Sequence, residues 1–178
     1  GFPIDNIGEV DVYGLELEVV WAPIDRLNVF VNLGIQESDF GSVDPLSPPG
    51  GLGQSCDTNP VPCAVPTKEL PSNPPWQGKI GFDYTVPLPR DLEFFYGADI
   101  FHSDEYFSEA RNLVLIDDYT RVNGFLGIGD ADKRWQLVLS GKNITDEEDV
   151  VSGIFAQNFT NIRTVLPPAE YMLTFKLN

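Results

Sequence analysis

Hydrophobic and polar positions alternate with a period of two over long stretches of the chain. In "YGLELEVVWAPIDRLNVFVNLGI", residues 13–35, Tyr13, Leu15, Leu17, Val19 and Trp21 alternate with Gly14, Glu16, Glu18, Val20 and Ala22. After a short break, Leu27, Val29, Val31, Leu33 and Ile35 alternate with Asn28, Phe30, Asn32 and Gly34. Successive side chains of a strand point to opposite faces, so each run predicts a β-strand with one apolar and one wetter face. Seven such segments can be placed, near 9–22, 26–39, 76–86, 92–103, 119–129, 134–143 and 170–177. No segment of comparable length carries a helical period.

The connections sharpen this picture. Those after the first, third and fifth segments are tight: "PID" at 23–25, "PLPRD" at 87–91 and "DADK" at 130–133. Those after the second, fourth and sixth are long, spanning 40–75, 104–118 and 144–169. Long connections without secondary structure are unusual in compact domains. An up-and-down meander gives this alternation when all the long loops leave one end, as in outer-membrane barrels with short periplasmic turns and long extracellular loops. A soluble sandwich would use strands of about 5–7 residues with turns every 8–12, whereas the first two runs extend for about twice that. The side chains opposite the apolar face are often small or uncharged (Gly14, Gly34, Gly81, Gly97, Asn28, Asn32, Asn123, Gln136), which suits a wet interior. Trp21, Trp76, Tyr106, Tyr119, Trp135 and Tyr171 fall near predicted strand ends. Aromatic girdles form where an amphipathic ring sits at headgroup level. Trp21 and Trp135 both neighbour short turns, hence one rim. Ordinary core or rim aromatics are the alternative reading.

Composition narrows the function classes. The 178 residues could bury one core, and the 16 Gly and 15 Pro fall mostly between the alternating runs, as turn punctuation. Eleven Lys plus Arg face 27 Asp plus Glu, a formal net charge of -16. Nucleic-acid surfaces need clustered cations, so that class is set aside. No run of 18 apolar residues exists for a membrane helix, but membrane strands need only about 9–11 alternating residues. The opening "GFPIDNIGEV" has no basic region followed by an apolar stretch, so it does not read as a signal peptide. Cys56 and Cys63, in the Pro-rich "QSCDTNPVPCAVP", are read as a local disulfide of an oxidising compartment, with two free thiols as the alternative. With one His they are too few for a structural zinc site.

With this architecture in hand, several segments carry a family resemblance. "GEVDVYGLELEVVWAPIDRLNVFVNLGIQESDF", "NPPWQGKIGFDYTVPL", "RVNGFLGIGDADKRWQLVLSGKNITDEE" and the closing "PPAEYMLTFKLN" resemble, in order, the late-barrel strands of TonB-dependent outer-membrane receptors. The resemblance implies an all-β, antiparallel up-and-down transmembrane barrel of 22 strands filled by an N-terminal plug. Residues 1–178 would supply about the last seven strands; plug and TonB box would lie outside them. An odd number of strands does not close alone in single-chain bacterial barrels, which agrees with a portion of a larger barrel. The family commonly ends on an in-phase aromatic residue; here Phe175 and Leu177 are in phase and Asn178 follows.

No Ser or Cys sits in a nucleophile elbow, and His102, the single histidine, is placed near the outer end of the fourth strand, so no enzyme and no cofactor are expected. The run "TDEED" at 145–149 lacks the spaced ligands of a calcium loop and reads as a solvated loop tip. Asn143 and Asn158 head sequons that carry no information in a bacterial outer membrane. Glu16, Glu18, Lys79, Asp83, Glu93, Asp99, Arg121, Lys142 and Lys176 fall on the polar phase and are expected to face the lumen, pairing with each other or with the plug. Tyr106, Phe107 and Arg111, with Phe155, Phe159 and Arg163, mix aromatic and cationic groups in the long loops. That mixture suits an anionic or catecholate-like iron chelate; it is equally the composition of any exposed loop. The expected function is active import of a scarce large solute such as a ferric siderophore. Its partners would be outer-membrane lipid and the TonB energy-transducing complex, the complete receptor being monomeric. A passive porin-like channel and a secreted β-sandwich binding module stapled by Cys56–Cys63 are the rivals.

Overall fold

A computed structural model of the protein describes residues 8–43, 69–108, 114–156 and 159–178. Eleven strands are present among them: β1 (Gly8–Ile24), β2 (Leu27–Val43), β3 (Trp76–Leu88), β4 (Leu92–Ser103), β5 (Tyr106–Phe107), β6 (Leu115–Ile116), β7 (Tyr119–Asp130), β8 (Trp135–Lys142), β9 (Val150–Ala156), β10 (Phe159–Val165) and β11 (Glu170–Leu177). Seven of them form one antiparallel sheet in the order β1-β2-β3-β4-β7-β8-β11, and these are the seven alternating segments of the sequence. The sheet is open, with β1 and β11 at its edges. The other four strands pair as two small hairpins, β5–β6 and β9–β10, inside the second and third long connections, where alternation had predicted structureless loops.

Register carries the alternation from strand to strand. Leu17 faces Leu33, Val19 faces Val31, Val31 faces Ile80, Ile80 faces Ile100 and Ile100 faces Val122, so their side chains share one face. Leu126, Leu139 and Leu173 extend that face to the other edge. Among the described residues no second sheet covers it: Leu15 is 65% exposed and Phe175 63%. A water-soluble sandwich would bury this surface, since leaving a large apolar side chain in water forfeits about 1.5–3 kcal/mol each. The sandwich reading is therefore set aside on the architecture itself.

The three short turns are specified by local chemistry. Arg26 closes β1–β2 at φ 66°, and Arg90 and Asp91 close β3–β4 at φ 68° and 56°. Two successive residues at positive φ match the right-handed twist of a hairpin. In the β7–β8 turn Lys133 has φ 59°, and the Asp130 carboxylate accepts hydrogen bonds from the Arg134 and Trp135 backbone N–H groups and from Arg134 Nε. Asn178 docks on the same turn, its Nδ2 donating to the Lys133 carbonyl at 2.8 Å and its backbone N–H to that of Arg134 at 2.8 Å. All three turns lie at one end of the sheet, and the long connections leave the other.

Candidate functional site

The face opposite the apolar one collects the predicted inward charges. Glu16 pairs in register with Gly34, Glu18 with Asn32, Asn32 with Lys79, Asn28 with Asp83, and Gly81 with Asp99. Asp99 in turn faces Asn123, Phe101 faces Arg121, Glu93 faces Gly129, Lys142 faces Glu170 and Lys176 faces Gln136. The fold thus brings all of these charged positions to one side, which parity along each strand had predicted. Specific pairs tie neighbouring strands together. Lys79 Nζ lies 3.4 Å from Asp99 Oδ1, and Asn123 Nδ2 donates to Asp99 Oδ2 at 2.8 Å. Asn28 Nδ2 donates to Asp83 Oδ2 at 2.8 Å, and Arg26 Nη1 reaches Glu93 Oε1 at 3.5 Å near the turn end.

Aromatic rings complete this wall in a way that composition did not reveal. Phe30 lies directly opposite Gly81, Phe125 opposite Gly97, and Phe95 opposite Gly127. Each ring lies over its glycine: a Cβ on Gly81 would come 2.4 Å from Phe30 Cζ, and one on Gly127 would come 2.4 Å from Phe95 Cε2. A ring covering a cross-strand glycine fills the space a side chain would occupy and shields the backbone there. Lys79 Nζ sits 5.5 Å from the Phe30 ring centre, and the Arg121 guanidinium 5.5 Å from that of Phe101, within cation–π range. Arg121 Nε is buried without a hydrogen-bond partner among the described residues. A depression of about 520 Å³ opens beside it, lined by Asp99, Asn123, Ser140 and Lys142 among others.

The rim aromatics divide between the two faces. Trp21 and Trp135 stand on the apolar face at the turn end, Trp135 opposite Leu177. Trp76 and Tyr171 stand on the same face at the long-loop end, Trp76 opposite Ile35 and Tyr171 opposite Gly141. Trp76 stacks on His102 at 4.6 Å, and His102 Nδ1 is 2.8 Å from Thr120 Oγ1, so the single histidine belongs to this outer band. Tyr119 departs from the girdle expected of it. It pairs with Ser103 on the polar face and packs against Phe101 at 5.9 Å, because its odd position in β7 shares the phase of Arg121 and Asn123.

The predicted loop contacts have different fates. Tyr106 is a structural tie: its hydroxyl donates to the Val151 carbonyl at 2.6 Å, from the β5–β6 connection to β9. Burial, and secondarily the Tyr119 phenol, push its pKa above the usual tyrosine value, which keeps it a neutral donor. Phe107 is half-buried, and its carbonyl accepts from Ser72 N at 2.7 Å. Arg163 is exposed on β10, opposite Gly153. Arg111, Cys56 and Cys63, together with the side chains of Phe155 and Phe159, lie outside the described residues.

The residues leading into and within the acidic run are structural as well. Asn143, buried at φ 47°, donates through Nδ2 to the Glu147 carbonyl (2.9 Å) and the Pro167 carbonyl (2.8 Å), and its Oδ1 accepts from Glu147 N (3.1 Å). Asp146 Oδ1 accepts from Ala169 N at 2.8 Å. This turn therefore fastens the end of β8 to the approach of β11, and Asp146 is more than part of a solvated tip. Four side-chain and backbone contacts of this kind converge where spacing showed only a sequon and a charge run.

Comparison with known proteins agrees with this geometry. The family of TonB dependent receptor-like β-barrels matches residues 1–144. No match was found among curated proteins. The fold is similar to that of the ferric yersiniabactin uptake receptor FyuA from Yersinia pestis, with a TM-score of 0.78 at 13% identity over 97% of this chain and 24% of that one. It is also similar to BauA, the ferric preacinetobactin receptor from Acinetobacter baumannii, with a TM-score of 0.65 at 13% identity over 95% of this chain and 22% of that one. The chain thus spans about a quarter of the length of either structure. The chain belongs to the TonB-dependent receptor-like β-barrel family of the Gram-negative outer membrane.

Proposed function

We propose that this chain builds part of the wall and outer vestibule of an outer-membrane receptor that imports a scarce, large solute, a ferric siderophore, with energy from the TonB system. The observation that carries the reading is the two-faced sheet: one apolar face uncovered among the described residues and one charged face, with short turns at one end and, at the other, connections that carry the β5–β6 and β9–β10 hairpins. The apolar face contacts lipid, where only side chains without charge are stable at depth. Trp21 and Trp135 mark the periplasmic rim, Trp76 and Tyr171 the outer one. The seven strands are the last of a 22-stranded barrel whose N-terminal plug occupies the lumen, against Glu16, Glu18, Lys79, Asp83, Glu93, Asp99, Arg121 and Lys142. The complete receptor acts as a monomer.

Import would begin with capture in the vestibule, for which Phe107 and the exposed Arg163 are the candidate contacts, and proceed by rearrangement of the plug from the periplasmic side. Both solved neighbours carry a ferric ligand in their names, which is why an iron chelate is the solute class proposed. The test is uptake of radiolabelled ferric chelates by iron-starved host cells with and without the gene. Loss of uptake of one chelate on deletion, and its collapse when a protonophore dissipates the proton-motive force, would support the reading. Uptake that continues in uncoupled cells would replace it with a passive channel.

A further inference from the structure

Only three large apolar side chains are buried among the described residues, and all three lie outside the seven-stranded wall. Val114 and Ile116 belong to the β5–β6 connection, and Leu166 follows β10; they are 2%, 0% and 5% exposed. They lie in two connections that are separated in sequence by β7 and β8. A Cβ on Gly153 of β9 would lie 2.9 Å from Val114 Cγ1, so the glycine admits the valine. Two side-chain hydrogen bonds cross the same boundary, from the Tyr106 hydroxyl to the Val151 carbonyl at 2.6 Å and from Ser108 Oγ to the Gly153 carbonyl. Ser108 Oγ also reaches the Val114 carbonyl at 3.3 Å, and Ser108 N donates to the same carbonyl at 3.0 Å. The base of the β9–β10 hairpin is closed by Leu166 N donating to the Asp149 carbonyl at 2.8 Å.

We infer that the described parts of the connections 104–118 and 144–169 are one cooperative unit, a two-hairpin cap held by Val114 against Gly153 and by the two crossing hydrogen bonds on the outer end of the wall, rather than two independent loops. A two-stranded hairpin is marginally stable alone in water. β5–β6, with two residues per strand, has almost no ladder of its own. Its order comes from Val114 packed on Gly153 and from the two hydrogen bonds into β9. In return β9 gains an apolar contact at Gly153. Coupled elements of this kind open together, because the free energy of each includes the interface. The cap therefore moves as a body about its four points of entry to the wall, and whatever contacts Phe107 biases the position of Arg163. This inference rests on contacts within the cap and does not depend on which solute is carried.

The test is hydrogen exchange, read by mass spectrometry, on the full-length receptor reconstituted in lipid vesicles. Ile116→Asp, which places a charge in the buried cluster, should speed exchange in β9–β10 by about a hundredfold or more while β7 and β8 are unchanged. Gly153→Val, which fills the space that Val114 occupies, should reciprocally expose β5–β6. The double variant Tyr106→Phe, Ser108→Ala keeps Val114 and Ile116 and removes the two crossing hydrogen bonds together with the Ser108 Oγ contact to the Val114 carbonyl. It should speed β9–β10 exchange by about fivefold or more, and it serves where either of the other variants fails to assemble. Unchanged β9–β10 exchange in the double variant, or loss of β5–β6 protection alone in Ile116→Asp, would overturn the inference.

Discussion

Lys79 of β3 and Asp99 of β4 meet across the strand boundary at 3.4 Å, on the face opposite Ile80 and Ile100. Adjacent residues thus have opposite fates, an ion pair on one side and an uncovered apolar row on the other. Asp99 also accepts from Asn123 at 2.8 Å, so three consecutive strands of the sheet are joined through one carboxylate. Both charged groups keep some solvent contact, with side-chain exposures of 38% and 19%. A double-mutant cycle of Lys79→Met and Asp99→Asn is expected to show a coupling of about 0.5–1 kcal/mol at low salt, falling as ionic strength rises. The measurement is equilibrium unfolding of the full-length receptor; zero coupling at low salt would contradict the pairing.

The Phe–Gly pairs of the polar face make a sharper mutational contrast. In Gly81→Ala the new methyl would meet Phe30 Cζ at 2.4 Å and the Ala98 carbonyl oxygen at 2.8 Å. In Gly34→Ala the nearest atom is Gln77 Cγ at 3.8 Å, an ordinary contact. Gly81→Ala is therefore expected to destabilise by about 1–3 kcal/mol through overpacking, and Gly34→Ala to change little. Denaturant midpoints of the two variants, compared at equal slope, check this.

Asn143 is expected to be intolerant of substitution. Its replacement by Ala removes three side-chain hydrogen bonds, leaves the Pro167 and Glu147 carbonyls without this donor, and keeps a non-glycine residue at φ 47°. The expected cost is about 2–4 kcal/mol. Asn143→Gly relieves the backbone but not the hydrogen bonds, so it should recover only part of the loss. Thermal unfolding of the two variants, read by the gel mobility of unheated samples, separates the contributions; equal stability of Asn143→Gly and the native protein would contradict the hub role.

Much of the wall was legible in the sequence because a membrane strand writes its two faces into a period of two. Segments 76–86 and 92–103 fall on β3 and β4 to within two residues at each end, and every inward charge lands on the polar face. Tyr119 lies near a strand end, yet it shares odd parity with Arg121 and Asn123, and parity decides its face. The Phe30–Gly81, Phe95–Gly127 and Phe125–Gly97 pairs were not legible, since they depend on register between strands, which a single sequence does not state. The cap was missed for a different reason. Strands of two residues carry no period, and the contacts between the two connections join residues 45 apart in sequence, Tyr106 with Val151 and Ser108 with Gly153. Tyr106, picked for its ring, turned out to act through its hydroxyl.

The most direct test of the account compares two neighbours in β2. Val31 lies on the apolar face between the Trp21 and Trp76 rows, paired with Val19 and Ile80, whereas Asn32 lies on the polar face, paired with Glu18 and Lys79. Arginine is introduced at each position in turn, and the folding free energy of the full-length receptor is measured in lipid bilayers. The account predicts that Val31→Arg costs about 2–4 kcal/mol, as a charge near the bilayer midplane does, and that Asn32→Arg costs clearly less. Equal costs at the two positions, or a larger cost at Asn32, would contradict a lipid-facing assignment of the apolar side.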